Sequence, residues 1–305
     1  MKQFITILLF VFSISISYSQ CLPNYGFATK QIKIDSVTIH FVDKGVGDPI
    51  LLIHGLGGNA SHWKKTIESL SVTNRCIAIN LPGYGGSTAV NILEPNKVLP
   101  FYASISAQLI KLLQLEKVTV MGHSMGGQVA MILALQEPIL VNQLVLVAPA
   151  GLETFNETEA ALLVKYATPT FYELQDSTTI VRNYSANFYR SNEEKERLIQ
   201  ERFALKKCTN FKNYCKQIAL GVQGMLAFPV KTQLNLIKQK TLIVFGENDS
   251  LIPNKLLHPT LTVENIADIG KQIPSVKISM LAEAGHLLQL DQPAAFIKIV
   301  KNFLP

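Results

Sequence analysis

The chain has 305 residues, 48% hydrophobic and 16% charged, with a formal net charge of +6. That suffices for one large α/β domain with an insertion, or two small domains, and it excludes wholesale disorder. The basic residues are scattered rather than striped with aromatics, which argues against nucleic-acid binding, and no apolar run of about 18 residues follows the N-terminus to suggest an integral membrane span.

The chain opens MKQFITILLFVFSISISYSQ, with Lys2, an apolar run from Phe4 to Ile16, and then small polar residues. This layout predicts a secretory signal peptide over residues 1–19. Ser17 and Ser19 would stand at −3 and −1 of the cleavage site, leaving Gln20 as the new N-terminus. Removal would leave 27 basic residues against 22 acidic ones, a charge of +5. The expectation is export to the periplasm or the medium. A lipid anchor on Cys21 is less favoured, because Gln20 is a poor fit to the small residue wanted before such a cysteine. A retained, buried N-terminal helix is a further alternative.

KIDSVTIHFVDKG (33–45) alternates and ends in a charged turn, predicting a β-hairpin. DPILLIHG (48–55) is continuously apolar, as a strand covered on both faces must be. RCIAINLPGYGGS (75–87) gives a second such strand and then a loop rich in proline and glycine. YASISAQLIKLLQL (102–115) has helical spacing of apolar residues. KVTVMGH predicts a strand, and GGQVAMILALQEP a helix that stops before Pro138. VNQLVLVAPAG (141–151) is another buried strand. From 152 to 236 the alternation gives way to a helical, aromatic, irregular pattern. It resumes with KTLIVFGENDSLIP (240–253), a strand in SVKISMLAEAGH (275–286) and a closing helix in PAAFIKIVKNFL (293–304). Such alternation predicts an α/β fold with a mostly parallel central sheet flanked by helices. The expected organisation is a core over 20–151 and 237–305, with a helical cap, 152–236, inserted between two strands.

Gly122-His123-Ser124-Met125-Gly126 lies between a predicted strand and a predicted helix, matching G-x-S-x-G in its required context. A serine at the apex of so sharp a turn takes a strained conformation. Small residues two before and two after let strand and helix approach. Its hydroxyl then stands at the sheet edge, beside helix N–H groups that favour a developing anion. Serine also needs a general base and a group that orients it. Among six histidines, His286 follows the last predicted strand and is the candidate base. His123 is read as pointing away and packing, His54 as structural within its loop, and His258 as a surface residue. Asp249, after another buried strand, is the candidate orienting acid, with Glu247 and Glu283 as nearby competitors. HGLGG (54–58) can present backbone N–H groups to an oxyanion; Leu56 N–H and Met125 N–H are the expected donors.

These residues resemble the α/β-hydrolase superfamily, in particular the lidded branch of small esterases, C–C hydrolases, epoxide hydrolases and cofactor-free haloperoxidases. HGLGGNASHW, NLPGYGGS, GHSMGG, GENDSLIP and EAGHLLQLDQP carry the resemblance, in family order, over about 33–305 apart from the cap. Two departures stand out. Asn80 occupies a position where the family often has aspartate, usually a structural one. The stretch between Asp249 and His286 is long, with PTLTVENIADIGKQIP expected to add a helix beside the pocket. Ser124, where epoxide hydrolases and haloalkane dehalogenases carry aspartate, argues against both activities.

The resemblance implies a serine hydrolase, with carboxylic esters of small molecules as the leading substrate class. A C–C hydrolase or a haloperoxidase/perhydrolase with the same triad stays open, as does a non-catalytic ligand-binding protein. Phe171, Tyr172, Phe188, Tyr189, Met225 and Phe228 are candidates for an apolar substrate wall, with packing inside the cap as the alternative. No metal and no organic cofactor is implied. Cys208 and Cys215 are close enough in sequence to pair, or to remain two thiols, and Cys76 is read as a buried free thiol.

Overall fold

The computed structural model describes residues 22–91 and 94–305. The signal peptide expected over 1–19, and Cys21, lie outside the described residues. Eight strands form one sheet: β1 (Thr29–Ile34), β2 (Val37–Lys44), β3 (Asp48–Ile53), β4 (Asn74–Ile79), β5 (Val118–His123), β6 (Val141–Val147), β7 (Lys240–Gly246) and β8 (Val276–Leu281). Their order is β1-β2-β4-β3-β5-β6-β7-β8. The β1–β2 hairpin pairs antiparallel, and β2 meets β4 antiparallel; every other pairing is parallel. The hairpin turns at Asp35 and Ser36.

The helices are α1 (Lys64–Leu70), α2 (Val98–Leu112), α3 (Met125–Gln136), α4 (Glu157–Tyr166), α5 (Pro169–Glu173) and α6 (Ser177–Ser185). They continue with α7 (Glu193–Lys206), α8 (Phe211–Ala227), α9 (Val263–Ile269), α10 (Leu288–Asp291) and α11 (Pro293–Lys301). Burial explains why the inner strands lack alternation. Every residue of β5 is buried, as are Ile50 to Ile53 of β3, because helices cover both faces. Helix α3 is buried from Met125 through Ala134, so its sequence is apolar all round rather than striped. Helix α11 faces water on one side and buries Phe296, Ile297 and Val300. Removing one of the fully buried side chains, as in Leu52→Ala, costs about 2–5 kcal/mol through lost transfer energy and the cavity left behind.

Helices α4 to α8 all fall between β6 and β7. Helix α8 buries eight residues, four of them in the main core, whereas the start of the insertion is less anchored. Helices α4 and α5 bury no residue, although both carry side-chain N-caps, Asn156 in a capping box and Thr168. The long segment between β7 and β8 does form a helix, α9. Its contacts are with β7 and the short turn after it, and none of its residues lines the cavity described below, which corrects the expectation of a helix beside the pocket.

Cys208 is disulfide-bonded, whereas Cys76 and Cys215 are free and buried; Cys208 and Cys215 are therefore not partners. Burial pushes the Cys76 thiol up to about 12 and that of Cys215 up to about 11. Among the described residues no helix is long and apolar enough to cross a membrane.

Candidate active site

Ser124 sits between β5 and α3 with φ 52° and ψ −120°, a conformation that costs a non-glycine residue about 1–3 kcal/mol. The surrounding bonds hold it there. Its N–H donates to Val147 O at 2.9 Å, and its carbonyl accepts from Gly127 N at 2.9 Å and Ala150 N at 3.0 Å. A Cβ on Gly122 would lie 2.2 Å from Gly126 O, and one on Gly126 would lie 2.3 Å from Ile53 O. Larger residues at either position would force the strand and helix apart.

Asp249 and His286 come from the loops after β7 and β8. His286 Nδ1 lies 2.7 Å from Asp249 Oδ2, and both side chains are buried. The second carboxylate oxygen, Oδ1, accepts from Leu251 N at 2.8 Å and Ile252 N at 3.0 Å. With both oxygens committed to donors, the carboxylate is fixed in place and in the form that accepts a proton-bearing Nδ1. His286 and Ser124 line one cavity. Among the described residues no hydrogen bond joins Ser124 Oγ to His286 Nε2; contacts of this kind tighten when substrate is bound.

The 54–58 loop faces the serine from β3. A Cβ on Gly55 would lie 2.7 Å from His123 Nδ1 and 3.1 Å from the Ser124 Cβ, so only glycine allows this approach. Leu81 N donates to His54 Nε2 at 3.1 Å, which places the ring proton on Nδ1, donating to Gly55 O at 2.8 Å. Burial lowers the His54 pKa from its ordinary 6.5 to about 4, so the ring is neutral and braces the loop, as the sequence suggests. Met125 N–H is the first donor of α3. Neither it nor Leu56 N–H has an acceptor among the described residues.

His123 does not point away. Its ring packs 4.8 Å from that of His286, and its Nε2 lies 3.0 Å from His286 O. Burial, then the neighbouring His286, hold its pKa well below the usual range. A neutral ring facing a carbonyl oxygen carries its proton on Nε2, so His123 donates to the backbone of His286 and steadies it.

The cavity holds about 750 Å³ and is mainly apolar, with core residues on its floor and cap residues on its roof. Three charged residues line it: Glu153, Arg202 and Lys231. Glu153 Oε1 accepts from Asn254 N at 2.9 Å and faces His258 Nδ1 at 2.6 Å. His258 is thus partly covered and paired, not a simple surface residue. The Arg202 guanidinium lies over the rings of Tyr214 at 4.8 Å and Tyr184 at 5.6 Å, and bonds to Tyr214 OH. Among the described residues it has no carboxylate partner.

Residues 48–293 match the model of the alpha/beta hydrolase fold family. The chain belongs to that family. A 2-hydroxy-6-oxo-6-phenylhexa-2,4-dienoate hydrolase of Burkholderia cepacia is 25% identical over 283 residues, covering 89% of this chain and 92% of its own. A pimeloyl-acyl-carrier-protein methyl ester esterase of Vibrio campbellii is 25% identical over 273 residues, covering 88% and 99%. A probable hydrolytic enzyme of Pseudomonas aeruginosa PAO1 superposes with a TM-score of 0.81 at 24% identity, over 93% of this chain and 96% of that one. The relatives therefore include a dienoate hydrolase and a methyl ester esterase.

In this α/β-hydrolase, the sequence-derived Ser124, Asp249, His286 and Leu56 converge at one sheet edge, with Met125 at the start of α3. Of the six apolar candidates, Tyr172 and Met225 line the cavity. The other four do not. Phe171 and Tyr189 are exposed; Phe188 is buried against Leu198, Leu287 and Leu290; Phe228 packs against the core. Glu247 and Glu283 do not line the cavity. Asn80 is buried and structural, accepting from Ala60 N at 2.8 Å. Sequence reasoning missed Glu153 and Arg202. Arg202 lies in a heavily charged helix, EEKERLIQERFALK, where nothing distinguishes it from its solvated neighbours.

Proposed function

We propose that this α/β-hydrolase is an exported serine hydrolase that cleaves carboxylic esters of small molecules. One observation carries the reading. The strained Ser124, the His286–Asp249 pair and two uncommitted backbone N–H groups meet at one apolar cavity. Each part of acyl transfer then has an agent. Ser124 Oγ attacks the ester carbonyl as its proton passes to His286 Nε2. Asp249 holds Nδ1–H and favours the imidazolium. Leu56 and Met125 N–H groups receive the developing oxyanion, each worth roughly 3 kcal/mol in the transition state. His286 returns the proton to the departing alcohol. A water molecule, deprotonated by the same imidazole, then releases the acid and restores Ser124.

A panel of p-nitrophenyl acetate, butyrate and longer esters, run on wild type and Ser124→Ala, tests the reading. Turnover that survives the substitution would overturn it. Export is tested by intact mass of protein from the native host: loss of 19 residues is expected, and a retained Met1 would contradict it.

Arg202 favours a second reading, C–C bond hydrolysis beside a ketone. A partly buried guanidinium that has no carboxylate partner among the described residues lines the cavity, and it can receive the carboxylate of a dienoate such as the one in the Burkholderia relative's name. Cleavage of a 2-hydroxy-6-oxo-dienoate faster than of any ester would select this reading.

A further inference from the structure

The segment 186–192, between α6 and α7, belongs to the insertion, yet its bonds run to the loops that carry the Asp249–His286 pair. Ser250 Oγ, next to Asp249, donates to Ala186 O at 2.6 Å. Leu287 N, next to His286, donates to Asn187 O at 2.9 Å. Asp291 Oδ2 accepts from Gly285 N and from Tyr189 N, both at 2.8 Å, and Oδ1 accepts from Asn192 Nδ2 at 3.2 Å. One carboxylate therefore ties the residue before His286 to two residues of the insertion. Packing reinforces the bonds. Phe188 is buried against Leu287 and Leu290, and a Cβ on Gly285 would lie 2.9 Å from Asn187 O and Tyr189 N. By contrast, α4 and α5 bury no residue.

We propose that segment 186–192, fastened by Asp291, is a positioning element that sets the mutual geometry of Asp249 and His286. Asp291 is then a positioning residue: it touches neither substrate nor the reacting atoms and acts through Gly285 and Tyr189. The inference rests on the reading of His286 and Asp249 as base and orienting acid. Its physical basis is that a carboxylate accepting two backbone N–H bonds and one amide bond makes a charge-assisted junction, stronger than neutral bonds of the same length. The 2.7 Å contact between His286 and Asp249 joins two separate loops, which the β7–β8 pairing and two backbone bonds, Glu247 N to Leu281 O and Asn248 N to Ala284 O, both at 3.0 Å, hold together near the strand ends. The strap adds bonds farther out, at Ser250, Gly285 and Leu287, next to the pair itself, so loosening it frees the parts of the loops that carry Asp249 and His286. A displacement of about 1 Å at a catalytic group costs up to roughly a hundredfold in rate.

The test compares Asp291→Ala, Asp291→Asn and Ser250→Ala with wild type in steady-state ester hydrolysis and in the rate of labelling by a fluorophosphonate. Asp291→Ala is expected to lower kcat and labelling rate about tenfold, with KM within about twofold. Asp291→Asn keeps one oxygen for Gly285 N and Tyr189 N and loses the Asn192 contact, so it should recover part of the loss. Ser250→Ala cuts the strap at the other loop and is expected to lower kcat by about threefold. It supplies the test if Asp291→Ala does not fold. Folded variants with wild-type kcat and labelling rates would overturn the proposal. So would a rise in KM at unchanged kcat, which would mean that the strap shapes the substrate site rather than the pair. Failure of the wild type to label at all would contradict the nucleophile assignment instead.

Discussion

The sheet-edge loops and the inserted cap are held by different means. Ser124, Asp249 and His286 each sit in a buried net of backbone bonds, with neighbours that leave no room for another Cβ. The first half of the cap is a different material. Helices α4 and α5 bury nothing, and Tyr166 and Leu174 are 61% and 74% exposed. The contrast separates the candidate catalytic residues, held by the rigid part, from the first helices of the cavity wall, which are weakly constrained. Helix α8, with eight buried residues, and segment 186–192, bonded to the loops after β7 and β8, are the anchored parts of the cap.

The largest effect is expected at the rigid end. Ser124→Ala should cost on the order of a millionfold in kcat, measured on a p-nitrophenyl ester, with an unchanged fold. Asp249→Asn should cost about ten-thousandfold, because an amide with an N–H toward Nδ1 selects the wrong histidine tautomer. A pH–rate profile would accompany that measurement. If either variant kept wild-type rates, the rigid region would not be where the chemistry lies.

The same contrast explains what could be read from sequence. The inner strands are buried on both faces, and that produces the unbroken apolar runs that mark β3, β5, β6 and β7. Turns that admit only glycine mark the elbow at Gly122 and Gly126. These constraints are local, so the sequence shows them. Arg202, Glu153 and the Asp291 junction take partners far along the chain, Gly57 at 145 residues, Asn254 at 101 and Tyr189 at 102, and no local pattern marks them. The cap helices meet the cavity on one side and water on the other. Their aromatics therefore give no stripe to separate Tyr172, which lines the cavity, from Phe171, which faces solvent.

Acid should weaken the rigid region first. Burial lowers the pKa values of His40, His54, His62 and His123, all in the core, with His54 brought from 6.5 to about 4. Between those values the unfolded chain binds the proton and the folded chain does not, so stability is lost as pH falls from about 6.5 toward 4. His54 contributes up to about 1.4 kcal/mol per pH unit in that window, and the other three act in the same direction. Thermal unfolding at pH 7 and pH 5 measures this, and a Tm that rose on acidification would contradict it.

The smallest effects belong to the cap. Tyr172→Ala and Met225→Ala, which alter the cavity wall, should shift relative kcat/KM across acyl chain lengths by roughly tenfold. Phe171→Ala and Leu174→Ala face solvent and should change rate and stability by less than about twofold and 0.5 kcal/mol. A stronger effect at Leu174 than at Tyr172 would reverse the assignment of roof and surface.

The central claim is that Ser124 is an activated nucleophile. Its most direct test is peptide mass mapping after fluorophosphonate treatment. The account requires one adduct, on the peptide containing Gly122-His123-Ser124-Met125-Gly126, absent in Ser124→Ala and formed far more slowly in Asp249→Asn. No adduct on the folded wild-type protein, or an adduct on another residue, would contradict it.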